Sequence, residues 1–77
     1  TFRLGYRVFT YASVEDAVIE CLVGGRTVRT RVSTGGRWKT VWAAETLSLP
    51  VGEETIRLSV PSGGGGWSLN YLILRRV

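Results

Sequence analysis

The sequence predicts an all-β domain, an antiparallel sandwich or barrel. Stretches of period-two alternation recur along the chain. Six candidate strands follow one another at roughly 8–12-residue spacing, and the breaks between them are rich in glycine and proline. At 77 residues the chain reads as one domain, 1–77, near the lower end of what folds alone. No internal repeat stands out.

Phe2 to Tyr11 opens with Phe2, Leu4, Tyr6 and Val8 alternating against Arg3, Gly5 and Arg7. This is the pattern of a strand with one covered face, and Phe9 and Tyr11 interrupt its polar side. Ser13 to Val23 reads two ways. Val14, Ala17, Val18, Cys21 and Leu22 fall at helical spacing, with Ser13 placed to cap, Glu15 and Asp16 in a first turn, and Gly24 to end it. Alternatively Ala12 to Asp16 is a loop and Ala17 to Val23 a buried strand. That strand turns at Gly24-Gly25 into Arg26 to Val32, where Val28, Thr30 and Val32 alternate with Thr27, Arg29 and Arg31. Local signals do not separate the two; the strand-rich surroundings favour the strand.

Ser33 to Arg37 is a turn cluster. Trp38 to Leu49 is long and extended, rich in β-formers, with Ala43-Ala44-Glu45 as a bulge or a helical turn. Pro50-Val51-Gly52 closes it and Glu53-Glu54 occupy a bend. Thr55 to Val60 alternates again, with Ile56, Leu58 and Val60 expected inward. Pro61-Ser62 and Gly63 to Gly66 form a loop before the last strand, Ser68 to Arg76. There Leu69, Tyr71 and Ile73 stand opposite Asn70, Leu72 and Leu74, which predicts a strand covered on both faces with Tyr71 in the core.

Below roughly 80 residues a single core leaves only about 3–5 kcal/mol of net stability. The usual staples are missing, because the single Cys21 makes no internal disulfide and the chain has no histidine for a zinc site. Either the core is unusually efficient or the chain gains burial by pairing with another copy. Cys21, in an apolar run, is expected to be a small buried hydrophobe. Thr1 to Thr10 carries two arginines and no long apolar run, unlike a signal peptide. No window approaches the roughly 18 apolar residues of a membrane-spanning helix.

Catalysis has little support. No activated serine or cysteine constellation is present, and the adjacent pairs Glu15-Asp16 and Glu53-Glu54 point apart rather than face one another. Gly63 to Gly66 lacks the lysine and helix of a phosphate loop. No catalytic group, cofactor or metal is therefore expected.

All three tryptophans lie in two aromatic-and-glycine segments, Thr34 to Trp42 and Gly63 to Tyr71. In order along the chain stand Tyr6-Arg7-Val8, Ala12-Ser13, Gly24-Gly25-Arg26-Thr27-Val28 and Thr34-Gly35-Gly36 with its tryptophans. Leu49-Pro50-Val51-Gly52-Glu53-Glu54-Thr55-Ile56-Arg57-Leu58 and Gly65-Gly66-Trp67-Ser68-Leu69-Asn70-Tyr71-Leu72 follow. This succession resembles the later part of a family 6 carbohydrate-binding module. The resemblance implies a jelly-roll sandwich and a secreted, non-catalytic module of a polysaccharide-degrading enzyme. The family's opening strands have no counterpart before Thr1, which implies a truncated jelly roll whose open edges self-association would complete. Asn70 stands where the family often has a carboxylate, so its calcium site is not carried over.

In the family an aromatic of the Thr-Gly-Gly segment stacks on a sugar ring, a role that maps onto Trp38 or Trp42. A polar residue of the last loop bonds the hydroxyls, a role that maps onto Ser68. Sugar recognition needs flat apolar platforms and a few hydrogen-bonding groups. Trp38, Trp42 and Trp67 are candidate platforms, the last beside its glycine loop; Ser68, Asn70, Arg37 and Lys39 are candidate polar partners. The expected ligand is a polysaccharide or oligosaccharide. The rival reading is a polyanion or nucleic-acid module. It draws on Arg26, Arg29, Arg31, Arg37 and Lys39, five of the ten basic residues in a chain of net charge +4, with no acid among them. The same stripe also reads as a solvated strand face.

Overall fold

A computed structural model describes residues 1–49, 55–60 and 65–77. The expected closing bend at 50–54 and most of the loop at 61–66 lie outside the described residues. The strands are β1 (Phe2–Thr10), β2 (Val18–Val23), β3 (Arg26–Arg31), β4 (Trp38–Leu47), β5 (Arg57–Ser59) and β6 (Trp67–Arg76). They form two three-stranded antiparallel sheets, β4-β1-β6 and β3-β2-β5, with β3 against β4. The helical alternative for 13–23 is overturned, because 18–23 is β2 and 13–17 is irregular.

Alternation along β1 sets the layers. Leu4, Tyr6, Val8 and Thr10 are buried between the sheets, and Ile19, Cys21 and Val23 of β2 and Val28 of β3 meet them from the other side. Ala43 and Leu47 of β4, with Val32 beyond β3, complete the core. Cys21 is fully buried. The β2–β3 hairpin turns through Gly24 and Gly25, both at positive φ (57° and 75°), the left-handed pair that a two-residue hairpin loop requires.

Two bulges interrupt the pairing of β1 with its neighbours. On the β4 side Arg3 pairs with Thr46 and Gly5 with Trp42, so Ala43, Ala44 and Glu45 lie opposite Leu4 alone. The segment is a bulge and not a helical turn. The Arg3 guanidinium donates to the carbonyls of Ala43 (2.9 Å) and Ala44 (3.0 Å), occupying acceptors at the interruption. On the β6 side Arg7 pairs with Tyr71 and Val8 with Leu69, leaving Asn70 as the extra residue.

That extra residue shifts the phase of the strand. Leu69 and Leu72 face the core, whereas Tyr71 and Ile73 follow Arg7 and Gly5 to the outer face. Tyr71 is 50% exposed, so its expected place in the core is corrected. The last strand is not covered on both faces either. β6 is an edge strand, the three-residue β5 is on its side of the opposing sheet, and Leu74 is 41% exposed. Val60, expected inward, is exposed just beyond β5.

The chain crosses from β3 back to β4 through a buried clasp. The Thr10 amide donates to Thr34 Oγ1 (2.9 Å), the Thr34 amide donates to Thr10 Oγ1 (2.8 Å), and the Gly36 amide donates to the Thr10 carbonyl (2.8 Å). Fully buried aliphatic side chains contribute about 1.5–3 kcal/mol each, so a core this small tolerates few unpaired polar groups.

One polar cluster is less well satisfied. The Tyr6 hydroxyl and Thr30 Oγ1 are buried without a hydrogen-bond partner among the described residues. Cys21 and Thr30 are near enough to influence the phenol but fall short of hydrogen-bond geometry. Burial first, and the Cys21 thiol second, push the Tyr6 phenol far above its ordinary value; burial likewise raises the Cys21 thiol. The unfolded chain loses these protons first, from ordinary values of 9.0 for the thiol and 10.0 for the phenol. Their contribution to stability is therefore complete below those values and is lost as pH rises past them. Thermal melts from about pH 8 to about pH 11 should show a falling Tm, with a shallower fall in the double variant Tyr6→Phe, Cys21→Ala. An identical slope in that variant would reject the assignment.

Candidate binding face

The side of β4-β1-β6 turned away from the core is built by the residues that alternate with the buried set. Register places them in rows across the three strands: Trp38–Phe9–Ser68, Thr40–Arg7–Tyr71, and Trp42–Gly5–Ile73. Phe9 is the hub of one aromatic group, with its ring centroid 5.7 Å from Trp38 and 5.3 Å from Tyr11, the latter edge-on. Trp38 and Tyr11 are 45% and 71% exposed. Trp42 lies four residues from Trp38, about 13 Å along an extended strand. Its ring covers Gly5, where a Cβ would sit 2.6 Å from a ring carbon. Only glycine admits the tryptophan there.

The face is also basic. Register puts Arg3, Arg7 and Arg75 on it, and the one carboxylate of the three strands is Glu45. Glu45 is paired with Arg26 of the other sheet, Nη2 to Oε2 at 3.0 Å. Arg75 places its guanidinium carbon 4.2 Å from the Trp42 ring centroid. Arg7 occupies the centre of the face, half-buried between Thr40 and Tyr71. Neither salt bridge among the described residues involves Arg7 or Arg75.

Of the residues expected to bind, Trp38, Trp42 and Ser68 come together on this face, and Asn70 is the exposed bulge residue beside Tyr71. Trp67 is separated from them. It pairs with buried Thr10, packs against the core, and donates its indole N–H to the Val18 carbonyl across the sandwich (3.0 Å). Phe9, Tyr11, Tyr71, Arg7 and Arg75 belong to the face without having been expected there. The signal for the first two was the break in the polar side of β1.

The basic stripe is divided between sheets. Arg29 pairs with Glu20 and Arg26 with Glu45, Arg31 lies on β3, Arg37 precedes β4, and Lys39 is opposite the inward Val8. A shallow depression among Glu20, Thr27, Arg29 and Glu45 adjoins both ion pairs, and its charges already compensate one another. Comparison with protein-family models, with curated proteins and with solved structures finds no match to this chain.

Chemically, the face offers ring surfaces interleaved with guanidinium donors. Its geometry depends on Gly5. Gly5→Ala should destabilise the fold by about 1–3 kcal/mol through overpacking. In a Trp42→Ala background the same change should cost far less, because the clashing ring is gone. Urea midpoints of the four proteins in that cycle measure the coupling; additive effects would show that the two residues do not meet.

Proposed function

We propose that this chain is a non-catalytic carbohydrate-binding module that recognises polysaccharide or oligosaccharide on the outer face of β4-β1-β6. The observation that carries the reading is the set of five rings, Phe9, Tyr11, Trp38, Trp42 and Tyr71, gathered on the solvent side of one sheet. Aromatic rings are normally drawn into a small core, and a face that keeps them out of it offers flat surfaces to the C–H side of a sugar. Ser68 and Asn70 stand beside those rings to meet hydroxyls. In this reading the two sheets are part of a jelly roll, as the resemblance to family 6 modules implies, and the module serves a secreted polysaccharide-degrading enzyme. The nucleic-acid reading based on Arg26 to Lys39 has less support, since Arg26 and Arg29 are engaged by carboxylates.

Substitution separates platform from core. Losing a stacking ring removes roughly 1–3 kcal/mol by analogy with aromatic–base platforms, a five- to more than hundredfold weakening. Trp38→Ala and Tyr71→Ala should lose retention in gels loaded with neutral and acidic polysaccharides while keeping the wild-type circular dichroism spectrum. Trp67→Ala should instead lower stability by about 3 kcal/mol. If Trp38→Ala and Tyr71→Ala stay folded and are retained like the wild type, this face is not the site.

A further inference from the structure

Resting on the glycan-binding reading, we propose that the ligand is an acidic polysaccharide carrying ring carboxylates, a polyuronate, held by Arg7 and Arg75 while its rings lie on Trp38 and Tyr71. Charge complementarity is the first argument. Among the described residues the face presents Arg3, Arg7 and Arg75 and no carboxylate, because Glu45 is turned to Arg26. Arg3 is engaged with the Ala43 and Ala44 carbonyls and acts as a positioning residue. Among the described residues Arg7 and Arg75 have no carboxylate partner and are left to meet a ligand.

Their placement is the second argument. Arg7 shares its row with Thr40 and Tyr71, and Trp38 and Trp42 lie two residues to either side of Thr40. Register thus places Arg7 between stacking positions, at the centre of the face. At the Trp42 end the ring is covered by Arg75, so what a ligand first meets there is a cation and not an open platform. A neutral sugar would have to displace it. A carboxylate can instead be bound by its N–H groups, whose planar fork matches the two oxygens.

The sparseness of the charge selects the class of anion. One guanidinium per stacking position suits a chain with about one carboxylate per ring, rather than a polymer whose affinity comes from a dense row of phosphates.

The test compares polygalacturonate with the same polymer after chemical reduction of its carboxyl groups, and with single-stranded poly(U), by titration calorimetry at two salt concentrations. Polygalacturonate should bind, and carboxyl reduction should weaken it about tenfold or more. Arg7→Gln and Arg75→Gln should each weaken polygalacturonate about tenfold and so narrow the preference for the native over the reduced polymer. Arg75→Gln lies at the exposed end of an edge strand, so it keeps the test open should Arg7→Gln fail to fold. Equal binding of native and reduced polymer overturns the acidic ligand and leaves glycan binding standing. Tighter binding of poly(U) than of polygalacturonate overturns both, and binding of none of the three overturns the polyuronate, with the gel panel deciding glycan binding itself.

Discussion

The clasp between Thr10 and Thr34 is the contact on which the arrangement of the two sheets depends. At Thr34 the chain leaves β3 of one sheet and heads for β4 of the other, and the clasp ties that crossing to the end of β1. Each threonine satisfies the other's amide in a buried setting, where an unpaired amide costs about 1–3 kcal/mol. Because the joints are reciprocal, losing one hydroxyl also orphans a partner. The Gly36 amide on the Thr10 carbonyl extends the same attachment towards Trp38, so that β4 begins beside Phe9. The core below the clasp and the rings above it share this one anchor.

Much of the fold was legible because alternation is a local property. Phe2 to Thr10 and Arg26 to Arg31 show it directly, and the glycine pair between β2 and β3 marks their turn. β2 was ambiguous for a physical reason: Val18 and Leu22 lie on its outer side, so apolar residues occur on both faces and imitate helical spacing. The bulge at Asn70 was not legible. A bulge is a mismatch between two strands, and nothing in Trp67 to Arg76 alone says which residue β1 will leave unpaired. That single residue decides whether Tyr71 points into the core or out of it.

The site was half legible for similar reasons. Trp38 and Trp42 share strand parity, and parity alone puts them on one face. Trp67 was misleading because its glycine neighbours suggested exposure, whereas pairing with Thr10 turns it inward to a carbonyl of the opposite sheet. The stripe from Arg26 to Lys39 looked free of acid along the chain. In space the hairpin register brings Glu20 opposite Arg29, and the packing of β3 on β4 brings Glu45 to Arg26. On the outer face of β4-β1-β6, Arg7 and Arg75 have no such partner among the described residues, and the sequence scatters them between its two ends.

Those two arginines change what the exposed rings mean. A cation over an aromatic face is worth about 0.5–1 kcal/mol at an exposed site and about 2 when desolvated. The Arg75–Trp42 contact is therefore a modest barrier to any ligand that needs the bare ring. It is no barrier to a ligand that binds the guanidinium, and closing such an anion over the pair would strengthen both interactions by excluding water. Gly5 completes the device, since its missing Cβ makes room for the Trp42 ring that carries Arg75. A face with tryptophans alone would discriminate by shape. With a guanidinium resting on one ring and Arg7 at the centre, the proposed ligand would be selected first by charge.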